Sequence, residues 1–290
     1  MPAATDPKQK HHGTHLTPAQ MTFKTLLYAA LVLIACFTLL PFFWMVSSSL
    51  KIDQEVFRYP MEWIPKTFHW ENYAKIWERV ALMTYFKNTT VIAIVVTCMQ
   101  LLTSSFAAYA FAKMHFRGRD LLFFCYIGTI AVPWQVYMLP QFIMMSGLGL
   151  YDTPWALIIL QSFSAFGVFL MRQFYLTIPN ELSEAARIDG LSEYGIWFKI
   201  ILPLAAPAVA TLVIFTFVNT WNDYMGPLIY LKTDANKTIQ VGLRRFIQAY
   251  TSDYHLIMAA SLCSLVPVAI VFLALQRYFI EGIATTGLKG

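Results

Sequence analysis

This sequence is short of charge: 13% of its 290 residues are Asp, Glu, Lys or Arg, against 58% that are apolar. Ordinary soluble domains carry about 25% charged residues, so there is too little charge here to cover a compact water-soluble core. The same balance excludes a disordered or solvating chain, which cannot be this apolar. Cysteine is scarce as well. Cys36, Cys98, Cys125 and Cys263 each sit inside an apolar run, with no C-x-x-C spacing and no histidine at ligand distance. That argues against a metal or disulfide framework and predicts burial as small hydrophobes. Catalytic signatures are missing too: there is no G-x-x-x-x-G-K-[ST] phosphate loop, no H-E-x-x-H, no G-x-S-x-G and no pair of carboxylates within an apolar run. The net charge of +5 is not gathered into a basic patch interleaved with aromatics, which argues against nucleic acid as a partner.

Long apolar runs are what the chain has in abundance. Leu26 to Ser49, Thr89 to Ala112, Leu121 to Ile143, Pro154 to Met171, Leu202 to Met225 and Leu256 to Tyr278 carry no charge except Asp223 and, one residue from the end of the last run, Arg277. About 20 helical residues cross a hydrocarbon core about 30 Å thick, so the chain reads as an all-α membrane protein with six transmembrane helices. Residues 1–24 read as a polar tail, including His11, His12 and His15, and residues 25–290 as one transmembrane domain. The first run is far longer than a signal-peptide core of about 7–15 residues, and it ends in Ser47-Ser48-Ser49-Leu50-Lys51 rather than a cleavage site, so it reads as retained. Trp44, Trp134, Trp155 and Trp221 fall at run ends, where an amphipathic ring suits the headgroup layer. An even number of spans puts both termini on one side. The cations divide almost evenly between the two sides, but the tight turn Lys113 to Arg119 is dense in them and places itself and the termini inside.

Span centres hold only weakly polar groups such as Gln100, Ser104, Ser105 and Gln161. Ion-coupled carriers need buried ionisable relays and commonly show internal repeats, so a secondary carrier fits poorly, and energy for uphill movement has to enter from another chain. A membrane scaffold is the other alternative. Outside, Lys51 to Lys87 contains Trp70 to Trp77, whose Tyr73, Ile76 and Trp77 recur at helical spacing and predict a short helix on the membrane surface or on a partner. Gly226 to His255 reads by composition as a solvated loop.

The inner segment 172–201 is the informative one. Pro179-Asn180 suits a helix start, Glu181 and Glu184 favour its positive end, and Gly190 is placed to stop it. Ser192 suits the cap of a second helix leading into the fifth span. Ala185 and Ala186 are small where a lipid-facing helix would be bulky, which fits close approach to another protein's groove.

Glu184-Ala-Ala-x-x-Asp-Gly190, followed by Ile201-Leu-Pro203 and Pro207, resembles the EAA motif of membrane subunits of ATP-binding-cassette importers. Pro179-x-Glu181-Leu, Asp189-Gly190-x-Ser192, Gly147-Leu-Gly-Leu-x-Asp152-Thr153, Trp221-Asn-Asp-Tyr with Pro227-Leu228, and the ending Thr286 to Gly290 are similar to its carbohydrate branch, the maltose-type second permease subunit. The resemblance implies a type I importer permease fold with a cytoplasmic coupling helix. It implies a heterodimer with a second permease subunit, two cytoplasmic ATPase subunits or domains, and an extracytoplasmic sugar-binding protein. ATP and magnesium belong to the partner ATPase, and this chain is a non-catalytic moving wall with no cofactor of its own. By resemblance, Glu184, Ala185, Ala186, Asp189, Gly190, Leu202 and Pro203 couple to the ATPase. Part of the second outer loop, around Gln240, Gly242, Arg244 and Arg245 and reaching to Gln248, contacts the binding protein, although the two arginines also suit lipid phosphates. The implied location is a bacterial or archaeal cytoplasmic membrane, multi-pass, with both termini cytoplasmic. The maltose-type pattern assigns the membrane sugar site largely to the other permease chain, so no sugar ligands are expected here.

Overall fold

The computed structural model describes residues 18–247 and 253–287, with side chains to residue 278. His11, His12 and His15, Gln248 and the last three residues of the Thr286 to Gly290 ending lie outside the described residues. Among the described residues there is no strand and no group of His, Cys, Asp or Glu that could hold a metal ion.

Four stretches are long and apolar enough to cross a membrane unaided: Pro18–Ser49, Leu82–Lys113, Pro154–Thr177 and Tyr254–Tyr278. The first is α1, which begins at Pro18 rather than Leu26 and so takes in part of the expected tail. After the one-turn α2 (Asp53–Val56) and the outer helix α3 (Asn72–Arg79), the second stretch is α4 (Leu82–Lys113). The remaining two runs are sharply bent pairs, so six crossings are reached only if each pair counts as one. The first pair is α5 (Arg119–Gly128), with a 3-10 turn at Thr129–Ala131, and α6 (Trp134–Gly147), meeting at 98°. Pro133 causes the break: it donates no hydrogen bond and forces Val132 into an extended conformation.

The third unaided stretch comprises α7 (Pro154–Gln161) and α8 (Ala165–Thr177), interrupted at Ser162 to Ser164. It runs past Met171, where the sequence placed its end, because Arg172 is accommodated: its guanidinium lies 4.0 Å from the Phe123 ring centre and donates to the Phe111 carbonyl at 3.2 Å. Next come α9 (Asn180–Ile188), α10 (Glu193–Ile196), a wide π turn at Trp197–Ile201 and α11 (Leu202–Leu204). Ala205 leaves helical geometry between Pro203 and Pro207, and α12 (Ala206–Trp221) departs at 82°. The chain finishes with α13 (Met225–Tyr230), α14 (Ile239–Leu243), a 3-10 turn at Arg244–Phe246 and α15 (Tyr254–Gly287).

Helix α4 is the hub, packed against α8 on one side and α12 on another. The α4/α8 approach needs a glycine: a Cβ on Gly167 would lie 2.5 Å from Ser104 Oγ. Small groups let membrane helices approach this closely where the hydrophobic effect between them is absent. By contrast α1 buries only Ser47, Ser48 and Ser49.

Several expectations are corrected by packing. The amphipathic α3 turns its apolar face onto this chain itself: Ile76 is fully buried with Tyr85, Trp221 and Leu256, and the Trp77 ring packs at a tilt of 44° on Phe86. Asn72 anchors it by donating to the Ser49 and Lys51 carbonyls at 2.9 and 2.8 Å. Trp221 is fully buried, not interfacial, and its indole donates to the Ser264 carbonyl at 3.0 Å. Cys36, Cys98 and Cys125 face outward from apolar helices, and Cys263 is half-buried. The second outer connection is a packed element rather than a solvated loop, with Tyr230, Ile239 and Phe246 buried.

One carboxylate pins that connection. Asp152 has a positive φ of 58° and its Oδ1 accepts from the backbone N–H of Lys232 and Thr233 at 2.8 and 3.0 Å, while its own N–H donates to the Tyr230 carbonyl at 2.9 Å. Desolvation pushes this carboxyl up, but the Thr233 and Lys232 amides and the Asn236 and Thr233 side chains outweigh it and hold it below the usual range. A carboxylate held low contributes stability that is fully present above about pH 4 and is lost as pH falls through its depressed value. Asp234, held low by Lys237 and then Arg245, titrates in the same window, so a variant separates the two. Asp152→Ala should speed hydrogen exchange at Lys232 and Thr233 about fivefold to tenfold at pH 7, the equivalent of about 1 kcal/mol. Exchange at wild-type rates would show the loop to be held by its apolar contacts alone.

Candidate functional site: the α8–α12 connection

The connection between α8 and α12 is suspended from the last turn of α4. At its start, Ile178 and Pro179 are extended, and the buried Lys113 ammonium donates to the Ile178 carbonyl at 2.6 Å and to Asn180 Oδ1 at 2.8 Å. At its far side, Tyr109, one turn earlier on α4, donates to Glu193 Oε2 at 2.6 Å. Glu193 also takes the Arg187 guanidinium at 2.6 Å, tying the C-terminal end of α9 to the start of α10. Two side chains at i and i+4 of one helix therefore hold both ends of α9.

Helix α9 turns Ser183 and Ala186 inward, onto a core that includes Tyr109, Tyr175, Ile178, Ile196 and Ile201. Glu181, Leu182, Glu184, Ala185, Arg187, Ile188 and Asp189 face out. Leu182, Ala185 and Ile188, spaced i, i+3, i+6, make an outward apolar stripe, with Ile188 86% exposed. The exposed Glu184 makes no side-chain hydrogen bond or ion pair among the described residues.

The helix ends as the glycine foretold. Gly190 is left-handed, with φ of 83°; its N–H donates to the Arg187 carbonyl at 3.0 Å and that of Leu191 to the Ala186 carbonyl at 2.9 Å. This is the Schellman pattern, closed by a Leu191 side chain packed on the Ala186 core. Ser192 then caps α10, accepting from the Gly195 N–H at 3.3 Å.

Of the residues singled out from sequence, Glu184, Ala185, Asp189, Gly190 and Pro203 are each exposed, Leu202 is half-buried and Ala186 packs inward. Lys113, Tyr109, Arg187 and Glu193 were missed, although the i, i+4 pair of Tyr109 and Lys113 and the opposite charges of Arg187 and Glu193 were visible signals.

The second candidate surface sits at the other end of α4. Asn88 donates to the Ala235 and Lys237 carbonyls at 2.7 and 3.0 Å, and the Ile239 N–H donates to Thr89 Oγ1 at 2.9 Å. Arg244 and Arg245 are exposed there, Arg245 paired with Asp234. Gln240 is half-buried and donates to Asn222 Oδ1 at 3.2 Å. Gly242 does not face out at all: it is buried against the Tyr85 ring, which leaves no room for a Cβ. A helix of 32 residues is about 48 Å long, so the two surfaces lie at opposite ends of one membrane-length rod.

Residues 100–285 match the family described as binding-protein-dependent transport system inner membrane component. Over 269 residues the chain is 36% identical to the arabinooligosaccharides transport system permease protein AraQ of Halalkalibacterium halodurans, covering 92% of this chain and 95% of that one. It is 32% identical to the lactose transport system permease protein LacG of Rhizobium radiobacter, over 88% of this chain and 93% of that one. Among solved structures, a chain of a bacterial ABC transporter that imports the acidic polysaccharide alginate superposes with a TM-score of 0.80 at 25% identity, over 91% of this chain and 98% of that one.

The double tether makes a prediction. Lys113→Met leaves the Ile178 carbonyl and Asn180 without their donor, at a cost of about 1–3 kcal/mol. Amide exchange across Asn180–Ile188 should accelerate at least fivefold in Lys113→Met and less in Tyr109→Phe, read in the purified protein. Unaltered exchange in both variants would mean that core packing alone holds α9.

Proposed function

The chain belongs to the family of binding-protein-dependent transport inner membrane components, and on that premise we propose how it works as the membrane subunit of an ATP-binding-cassette importer for carbohydrate. The observation that carries the reading is the pair of surfaces at opposite ends of α4, one a helix presented outward and the other a packed loop. Helix α9 has the form of a helix that seats in a protein groove, with the Leu182, Ala185 and Ile188 stripe as its apolar anchors and Glu184 free for a basic or hydrogen-bonding group. Its occupant is a cytoplasmic ATPase, which supplies ATP and magnesium; this chain supplies no catalytic group. Because Lys113 and Tyr109 fix α9 to α4, closure of two ATPases against two such helices pulls α4 with α9 and rocks the spans between inward- and outward-facing states. Glu184, Ala185 and Asp189 make the contact, whereas Gly190, Ala186, Leu202 and Pro203 shape the segment that presents it.

At the far end of α4, the Asp152-pinned connection with Arg244 and Arg245 meets an extracytoplasmic sugar-binding protein, and a second permease chain completes the pathway. The bent pairs each count as one span, giving six, with both termini cytoplasmic. Relatives are named for arabinooligosaccharide and lactose transport, and a structural neighbour is involved in import of the acidic polysaccharide alginate, which together support a neutral or acidic saccharide as the cargo.

Two experiments test this. Single cysteines at the exposed Lys66 and Ala235 should react with an impermeant thiol reagent in intact cells, and one at Ser192 should not; labelling of Ser192 from outside overturns the orientation. In the purified complex, Glu184→Ala should weaken ATPase retention about tenfold. Gly190→Val strains a left-handed position by about 1–2 kcal/mol and should lower sugar-dependent ATP hydrolysis even where the ATPase stays bound. Normal retention and normal coupled hydrolysis in both variants would remove α9 as the docking element.

A further inference from the structure

Midway along the molecule an open cleft between apolar helices holds polar groups that take no part in either end surface. Two cavities of about 230 and 440 Å³ adjoin each other, and Gln161 and Asp223 line both. That shared wall is internally braced: Gln161 Nε2 donates to Asp223 Oδ2 at 2.8 Å, Thr220 donates to Gln161 Oε1 at 3.0 Å, and the Gly226 N–H donates to Asp223 Oδ1 at 3.1 Å. A carboxylate has about four acceptor directions, so Asp223 keeps capacity for further donors.

The larger cavity carries the half-buried Gln100 on α4 and the exposed Asn219 on α12, amides with no side-chain hydrogen bond among the described residues. Amides on a span are costly when they face hydrocarbon and are tolerated where they line a polar cleft. The smaller cavity adds Trp134 and Tyr137. A second, independent feature coincides with the first: the backbone is non-helical at Ser162 to Ser164 and again just after Trp221, the two places that deliver Gln161 and Asp223. Irregular backbone at membrane depth is tolerated where it lines a cavity. Gln100 lies about 20 Å along α4 from Lys113, far from either end surface.

We propose that this cleft is a carbohydrate subsite on the translocation path, in which Gln100, Asn219, Gln161 and Asp223 bind sugar hydroxyls and Trp134 and Tyr137 supply apolar ring faces. Each hydroxyl both donates and accepts, which matches amides that do both beside a carboxylate that accepts. An inorganic cation would find one carboxylate already bonded twice, and an acyl chain would satisfy none of these groups. The chain thus contributes sugar ligands of its own, contrary to the expectation that they belong to the other permease chain. The inference rests on the importer reading.

The test uses the full complex with its second permease, ATPase and binding protein in proteoliposomes, offered arabinotriose, lactose, raffinose and an alginate trisaccharide. Gln100→Leu and Asn219→Leu break no internal hydrogen bond. They should lower sugar moved per ATP hydrolysed at least fivefold for the transported saccharide, while binding-protein-stimulated hydrolysis and subunit retention stay at wild-type levels. Unchanged sugar per ATP in both variants overturns the subsite and leaves the importer reading standing. Loss of the second permease on purification also overturns it, since the cleft is then a subunit interface. Failure of the wild-type complex to take up any of the four saccharides counts against the carbohydrate reading itself, and the subsite falls with it.

Discussion

A lysine ammonium buried at the end of a membrane helix has to find oxygen, and Lys113 finds it in the Ile178 carbonyl and the Asn180 side chain. Much of the molecule's organisation follows from that requirement. The next chain segment to leave the apolar region is drawn to the foot of α4, and Tyr109 secures its return through Glu193. The opposite end of α4 repeats the solution with neutral groups, Asn88 and Thr89 binding the backbone of the connection before α14. These polar contacts fix which loops travel with which helix. A force applied to α9 is therefore a force on α4.

Breaks in the helices are met by local devices. Where the chain bends, proline removes the donor that would otherwise be stranded, as at Pro133, or a cap replaces it, as Ser164 does for the Gly167 N–H at 3.0 Å. Two of the irregular turns, at Ser162 to Ser164 and just after Trp221, lie beside Gln161 and Asp223, where polar backbone and polar side chains share one cleft. Elsewhere the helices meet through small residues, as Gly167 does with Ser104.

Local features of this fold were legible in the sequence, and features set by distant contacts were not. The α9 segment was read almost residue for residue, because Pro179, Gly190 and Ser192 act on their immediate neighbours. The apolar runs were found, but not their ends. Arg172 looked like the limit of a span until Phe123 and Phe111 supplied a ring and a carbonyl for it. The spacing of Tyr73, Ile76 and Trp77 announced a helix correctly without saying what it faces; burial against Tyr85 and Trp221 decided that. For the same reason Trp221 passed for an interfacial residue and the cysteines for buried ones: an apolar run has an inside and an outside only once its partners are in place. Gly242, grouped with the outward-facing arginines by proximity in sequence, belongs to the packing around Tyr85.

The left-handed turn at Gly190 also bears on how this segment can vary at the level of the gene. Asparagine is the substitution best suited to that backbone, yet no glycine codon reaches an asparagine codon in one base change. Single-base changes lead to alanine, valine, serine, arginine and a few others. Of these only aspartate shares asparagine's ease in the left-handed region, and it would stand next to Asp189 at the negative end of α9, where the helix dipole opposes it. The turn is thus isolated from its best alternative, and drift at this codon meets strain or misplaced charge at almost every first step.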